Sequence, residues 1–382
     1  MPPIYLDYHA TTPCDRRVAN KILQTMVTAF GNASSVDHSY GDEAAQAVKK
    51  ARQQIAELLN ASPTEIIFTS GATESINLAI QGHFARNSTL SRLIVSPIEH
   101  KAVLDTCRAI ASQKLAEIVW LKVDRQARLD LDYLERVCSQ GASLLCIMAA
   151  NNEVGTIYPL QTISQIAQKY RIPFFCDASQ AIGKIPINFA DSGITYLTLS
   201  GHKLYATKGI GALIVRRGHP LKPLFYGGEQ QNGLRPGTLN VSGIVGLGEA
   251  CHLRRLEMNA DEQEIQQKRD RLQNLLLAKI PNLVINGDRG DRLAGNLHIS
   301  IPNLPNSAIM ARIRDKLAIS TGSACSSGTT APSHVLRVMQ LPESHLEGAF
   351  RIGLGKFTTD AECDRAAEIL TDAVAKVAQL LD

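Results

Sequence analysis

The stretch Glu65-Ile66-Ile67-Phe68-Thr69-Ser70-Gly71-Ala72-Thr73-Glu74-Ser75 decides the fold. Its first five residues, short, apolar and rich in β-branched and aromatic side chains, read as a buried strand. Gly71 then allows a tight turn, and residues 73–80 carry helical spacing. The same grammar repeats downstream. Leu93-Ile94-Val95 reads as a second strand, followed by a helix from about Lys101. Ile118-Val119-Trp120-Leu121, Leu144-Leu145-Cys146-Ile147-Met148 and Pro173-Phe174-Phe175-Cys176 read as three more. Tyr196-Leu197-Thr198-Leu199 and Gly211-Ala212-Leu213-Ile214-Val215 complete a set of seven. Strands that alternate with helices imply an α/β fold: a mostly parallel sheet covered by helices on both faces. In such sheets ligands collect beyond the carboxyl ends of the strands.

The pattern changes near residue 255. Residues 257–279 read as a long helix of mixed charge, mostly a solvated face. Strand-like Leu283-Val284-Ile285, Leu297-His298-Ile299-Ser300-Ile301 and Phe350-Arg351-Ile352 follow, with helical stretches between them and a closing helix over about 360–381. This predicts a small α+β C-terminal domain. We expect residues 16–257 to form the large domain, and residues 1–15 with 258–382 the small one.

The 382 residues fit two or three domains of about 100–200 residues each. With 45% hydrophobic residues the chain can bury a sizeable core. The net charge of +4 is too small to imply a polyanion partner. A 5% aromatic content with the single Trp120 weighs against base stacking, so no nucleic acid is expected. The N-terminus carries neither a basic nor a long apolar segment, and no run reaches the ~18 apolar residues of a membrane span. A cytoplasmic protein is the expectation.

Eight cysteines, at 14, 107, 138, 146, 176, 251, 325 and 363, include no CxxC pair. That removes the usual zinc-ribbon and thioredoxin spacings, and no metal site is expected. Seven read as structural thiols, with Cys14 and Cys363 open to solvent. Cys325 differs. It lies in a loop of small residues, 320–333, rich in Ser, Thr and Gly.

Polar clusters follow the strands: Ser70-Gly71-Ala72-Thr73-Glu74, Glu99-His100, Asn151-Asn152-Glu153, Asp177-Ala178-Ser179-Gln180 and Ser200-Gly201-His202-Lys203. Taken singly, the first is also a plain helix cap and the others ordinary loop residues. Convergence of all five along one sheet edge makes a site. Helix-terminal amides suit a phosphate, an Asp suits a pyridinium nitrogen, and a Lys amine suits an aldehyde. Pyridoxal phosphate requires that set. A nucleotide is the rival, but the chain has no GxxxxGK[ST] and only a fragment of a dinucleotide fingerprint at Gly209-Ile210-Gly211.

These segments, with Tyr5-Leu6-Asp7-Tyr8-His9-Ala10-Thr11-Thr12, Phe30-Gly31-Asn32, Arg235-Pro236-Gly237-Thr238 and Ser320-Thr321-Gly322-Ser323-Ala324-Cys325-Ser326, resemble those of the NifS/IscS type of cysteine desulfurase. The resemblance runs from about residue 4 to 376. It implies a fold-type-I pyridoxal phosphate transferase acting as a homodimer on L-cysteine. Lys203 would bond the cofactor aldehyde, Asp177 would pair with the ring nitrogen, and His100 would stack on the ring and move protons. Ala72, Thr73, Ser200 and His202 would hold the phosphate, with Thr238 reaching in from the other subunit. Asn151 and Gln180 would contact ring substituents. Asn32 and Arg351 would grip the substrate carboxylate. Cys325 would take the sulfur as a persulfide, leaving L-alanine. The sulfur would pass to an iron–sulfur scaffold protein or another acceptor.

Thr321 stands where that family more often has Ser, and Ala149-Ala150 where some members carry a His. The chain ends straight after its last helix, whereas housekeeping members extend into a tail that docks the scaffold, so scaffold delivery is the less supported part. Selenocysteine lyase, cystine C–S lyase and a non-catalytic cofactor-binding scaffold or sensor stay open as alternatives.

Overall fold

The computed structural model describes residues 2–86, 91–322 and 333–381. Its strands are β1 (Ile4–Tyr5), β2 (Ile66–Thr69), β3 (Ser91–Val95), β4 (Ala116–Trp120), β5 (Leu144–Cys146), β6 (Phe174–Asp177), β7 (Tyr196–Ser200), β8 (Gly211–Val215), β9 (Val284–Ile285), β10 (Asn296–Ser300), β11 (Leu317–Ala318) and β12 (Ala349–Gly353).

Seven of them form one sheet in the order β2-β8-β7-β6-β5-β3-β4. β8 runs antiparallel to β2 and β7, and the remaining pairings are parallel. The reason lies in the connection. Residues 201–210 between β7 and β8 are too few for a crossover, which takes a dozen or more. The seven strand runs of the sequence are the seven strands of this sheet.

Both faces of the sheet are buried. Ile66, Phe68, Ile94, Leu145, Phe174, Cys176, Leu197, Leu199, Ala212 and Ile214 pack into one core. Their strand neighbours Ile67, Leu93, Val95, Leu144, Cys146, Phe175, Tyr196 and Leu213 pack into another. Alternation along each strand puts successive side chains on opposite faces, so both sets must be apolar. Each fully buried Phe, Leu or Ile contributes about 2 kcal/mol of transfer free energy. Helices Ala72–Phe84 and Lys101–Ser112 cover the second face, and helices Leu131–Cys138 and Leu160–Lys169 part of the first.

A third core contains Leu6, Leu297, Ile299, Phe350, Ile352 and Leu370. It lies on the antiparallel sheet β12-β10-β9, beside the parallel pair β1-β11. Helix Asp360–Ala378 closes it. Leu6 of the N-terminal segment packs in this core with residues from 265 to 377.

The long helix differs from its sequence reading. It spans Val241–Lys279 as one element, and its first half is buried. Val241, Ile244, Leu247 and Leu253 enter the first core, and Ile265, Leu272 and Leu276 the third. The expected boundary at 257/258 falls inside this helix. Around it Arg254, 2% exposed, pairs with Asp261 and Glu262 and donates to the Gly183 carbonyl at 2.7 Å.

Candidate active site

A cavity of 390 Å³ opens at the carboxyl end of the large sheet. That is within the usual range for a small-molecule site, roughly 300–1,000 Å³. Its walls come from the segments that follow β2, β3, β5, β6 and β7, the five polar clusters read from the sequence. Ala72, Thr73, His100, Asp177, Gln180, Ser200, His202, Lys203 and Arg351 all line it.

The first wall is the N-terminus of helix Ala72–Phe84. Gly71 is its N-cap, at φ +151°, a conformation that favours glycine, and no side chain caps the helix. The Glu74 carboxylate, which also lines the cavity, is occupied outside the helix's first turn: it accepts from the Ser70 amide at 2.7 Å and pairs with Arg235 at 2.8 Å. The first-turn amides therefore keep their anion-binding capacity. Ser200, the last residue of β7, lies across from Gly71.

Asp177 ends β6 and is 6% exposed. One of its oxygens accepts from the Ser179 amide at 3.0 Å and the Ser179 hydroxyl at 2.6 Å. His100 caps helix Lys101–Ser112, its Nδ1 accepting from the Ala102 amide at 3.1 Å. An accepting Nδ1 places the proton of the neutral ring on Nε2.

Lys203 follows Ser200 on a short turn, and its Nζ donates to the carbonyls of His9 and, at 2.8 Å, Ala10. Segment 9–12 embraces the lysine turn further. Thr12 donates from its amide (2.9 Å) and hydroxyl (3.0 Å) to the His202 carbonyl, and its hydroxyl accepts from the Tyr205 amide at 2.9 Å. His202 Nδ1 meets the Thr11 hydroxyl at 3.1 Å. Burial, then Lys203, Lys208 and Lys184, lower His202 to about 4, so its ring is neutral.

Arg351 on β12 reaches in from the small sheet and is 2% exposed. Its Nη2 pairs with Asp7 at 2.9 Å, and its Nη1 donates to the Asn152 carbonyl at 3.1 Å. Its Nε has no partner among the described residues. Burial outweighs the pull of Arg351 and holds the Asp7 carboxyl above its ordinary value.

Two residues expected from this chain, Asn151 and Asn32, do not line the cavity. Asn151 is fully buried and its amide is spent on its own turn: Nδ2 donates to the Ile98 carbonyl at 3.0 Å, and Oδ1 accepts from the Glu153 and Val154 amides. Asn152, its neighbour, lines the cavity instead. Asn32 is exposed and accepts from the Ser34 amide. Thr238 lines an adjoining cavity of 260 Å³ that shares Ser70 and Gly209 with the first. His9, Ala10, Met148 and Lys208 line the main cavity without having been singled out in the sequence. For His9 the signal was present: it sits in a segment quoted for its resemblance, beside a lysine turn with which it has no sequence proximity.

Cys325 lies outside the described residues. The described chain on either side of its segment is bonded to Arg351, which lines the cavity, and to Glu153 and Glu99, whose neighbours Asn152 and His100 line it. Ser320 pairs through its backbone with Arg351 (3.1 and 2.7 Å). Ser333 donates to Glu153 at 2.5 Å, and His334 meets the Glu99 carbonyl at 3.1 Å. Of the other seven cysteines, six are buried and Cys14 is half-buried. Cys363, expected at the surface, packs in the third core. Burial pushes Cys138 and Cys363 up to about 11 and Cys251 to about 12, the opposite of activation.

The described residues fit pyridoxal phosphate. An uncapped helix N-terminus, a buried Asp at a strand end and a lysine amine within one cavity meet the three demands of its phosphate, ring nitrogen and aldehyde. No group of three His, Cys, Asp or Glu suited to a metal ion occurs among the described residues. Fold and site together define a fold-type-I pyridoxal-phosphate-dependent enzyme. The Aminotransferase class-V family model matches residues 4–366, and the chain belongs to that family. It is 41% identical over 381 residues to the cysteine desulfurase IscS of Anaeromyxobacter sp. (strain Fw109-5), covering 99% of this chain and 94% of that protein. Among solved structures, a NifS-like protein superposes with a TM-score of 0.91 at 33% identity, covering 98% of this chain and all of the other. A structure of SspA in complex with cysteine gives 0.81 at 33% identity, over 93% and 99%.

Proposed function

We propose that this chain is a cysteine desulfurase that converts L-cysteine to L-alanine and carries the sulfur on Cys325 as a persulfide. The observation that carries this reading is one cavity: Lys203, Asp177, the uncapped helix N-terminus and Arg351 converge there, and the chain flanking the Cys325 segment is bonded to Arg351 of its lining and to Glu153 beside it.

Lys203 would hold the cofactor covalently, and Asp177 would bond the ring nitrogen. The amides of Ala72 and Thr73, with Ser200 and His202, would hold the phosphate. Gln180 would meet a ring substituent, and His100 would stack on the ring. When bound, the cofactor draws electron density from the substrate Cα. The Arg351 guanidinium, buried and carrying an unpartnered Nε–H, receives the substrate carboxylate and orients the thiol. The amine of Lys203, once free, takes the Cα proton, and the His9 and Ala10 carbonyls hold the resulting ammonium. Cys325 then attacks the substrate sulfur as a thiolate. The S–S bond forms as the Cβ–S bond breaks; Cβ keeps the electron pair and takes a proton, and the Lys203 ammonium returns a proton to Cα, which gives alanine. The His100 Nε2–H would donate a hydrogen bond to the Cys325 sulfur and favour its thiolate form.

We also propose a homodimer. Leu23, Met26, Val27 and Phe30 are exposed on and just after helix Arg16–Thr28, and Tyr226 is 90% exposed in the segment before Thr238. Thr238 of a second copy would complete the phosphate site, and the sulfur would pass to an iron–sulfur scaffold or another acceptor. Among the described residues no helix is long and apolar enough to cross a membrane. A cytoplasmic location is proposed with the rest.

The test is incubation of the purified, cofactor-loaded protein with L-cysteine, measuring alanine and sulfide. We expect alanine from the wild type and almost none from Cys325→Ala, with the yellow colour kept. Full turnover by Cys325→Ala would overturn the persulfide step.

A further inference from the structure

His9 is the residue that joins Gln180 to the lysine turn. Its carbonyl accepts from Gln180 Nε2 at 2.9 Å and also from Lys203 Nζ. Its ring Nδ1 lies 3.2 Å from Gln180 Oε1, and Lys184 Nζ donates to the same oxygen at 3.1 Å. The ring is 2% exposed and lines the cavity.

Counting donors and acceptors fixes every atom of this cluster. A flipped Gln180 amide would set its NH₂ against the Lys184 amine and its oxygen against the His9 carbonyl, two repulsive contacts. Oε1 therefore stays on the His9 and Lys184 side, and His9 Nδ1 must be the donor. Its Nε2 is then a bare acceptor, buried and without a partner among the described residues. Burial and the cations that face it, Lys184, Arg351 and Lys203, keep the ring neutral. On Gln180 the oxygen holds two donors. Of its two N–H groups one is spent on the His9 carbonyl. The amide's remaining hydrogen-bond donor is the other N–H.

We propose that His9 is a positioning residue that, with Lys184, locks the Gln180 side chain as a hydrogen-bond donor toward the cofactor ring. The proposal rests on the pyridoxal phosphate reading of this cavity. The ring carries an oxygen next to the aldehyde. An N–H aimed at that oxygen stabilises its deprotonated form, and a freely turning amide would lose the preference. The His9 ring touches neither substrate nor the reacting atoms; only the backbone carbonyl of His9 meets the Lys203 amine. It acts through Gln180.

The experiment is a pH titration of the bound cofactor's visible absorbance in the holoenzyme, without substrate. Variants are His9→Leu, His9→Asn, Gln180→Leu and the double variant His9→Leu/Gln180→Leu. His9→Leu removes the Nδ1 donor and keeps the carbonyl. We expect its midpoint to rise by about one pH unit, the worth of one hydrogen bond to a charged group. Asn can place an N–H where Nδ1 stands, so His9→Asn is expected to titrate with the wild type. Gln180→Leu should shift the midpoint upward at least as far as His9→Leu, and the double variant should match Gln180→Leu alone, since His9 works through that amide. An unshifted His9→Leu, or additive shifts in the double variant, would overturn the proposal while leaving the cofactor site standing. A wild type that takes up no cofactor would overturn both readings together.

Discussion

The strand-end side of the cavity and the side facing the small sheet hold their residues by different means. On the strand-end side Asp177, His100 and Ser70 are fixed by near neighbours, while Gln180 and Lys203 reach from it across to the other side. Asp177 is held by Ser179, His100 by Ala102, and Ser70 by Glu74. On the other side the partners are remote in sequence. Arg351 pairs with Asp7 across 344 positions, Gln180 with His9 across 171, and Lys203 with His9 across 194. The first side comes with the sheet. The second exists only when the N-terminal segment and β12 close over it, so substitutions there alter the site's geometry before they alter the fold.

The largest expected effect breaks the meeting of the two sides. Lys203 grows from the strand-end side and is held by segment 9–12. Lys203→Ala should lose the yellow colour of bound cofactor and at least about a thousandfold in kcat, with the circular dichroism of the fold unchanged. Retained colour would mean that another lysine bonds the cofactor.

Arg351 tests the closing side alone. Arg351→Ala leaves the Asp7 carboxyl without its guanidinium and empties a buried position. We expect KM for L-cysteine to rise at least about tenfold and stability in urea to fall by about 3 kcal/mol. Arg351→Lys should recover much of the stability but little of the KM, because the planar fork is what a carboxylate reads. Equal recovery of both would remove Arg351 from substrate binding.

The smallest effect concerns the strand-end side. Glu99 is fully buried, accepts from the Met148 amide at 2.6 Å, and has an Oε2 without a partner among the described residues. Burial, then Asp177, hold its carboxyl well above the ordinary 4.5, which favours the neutral acid in the folded chain. The folded state binds this proton more tightly than the unfolded one. Its contribution is complete below the unfolded value and is lost as pH rises through the folded value, by at most about 1.4 kcal/mol per pH unit. Glu99→Gln imitates the neutral acid and should flatten that decline in urea melts between about pH 5 and 7. An unchanged slope would show that Glu99 is not the group responsible.

The contrast also explains what the sequence revealed. Buried strands are uninterrupted apolar runs, so all seven were legible, and local strand-end clusters pointed to one cavity. Side-chain pairings across the chain leave no such mark. Asn151 reads like its neighbour Asn152, yet its amide is consumed by backbone. The start of helix Val241–Lys279 was hidden by glycines that weaken helical propensity. Gly248 is there for close approach: a Cβ on it would lie 2.5 Å from the Ala51 Cα of helix Ser39–Leu59.

The central claim is that sulfur leaves L-cysteine onto Cys325. The direct measurement is mass spectrometry of the Cys325 peptide after one turnover with L-cysteine and no acceptor, under non-reducing conditions. We expect a peptide heavier by one sulfur atom, formed in step with alanine. Alanine formed at full yield with an unmodified Cys325 would contradict it.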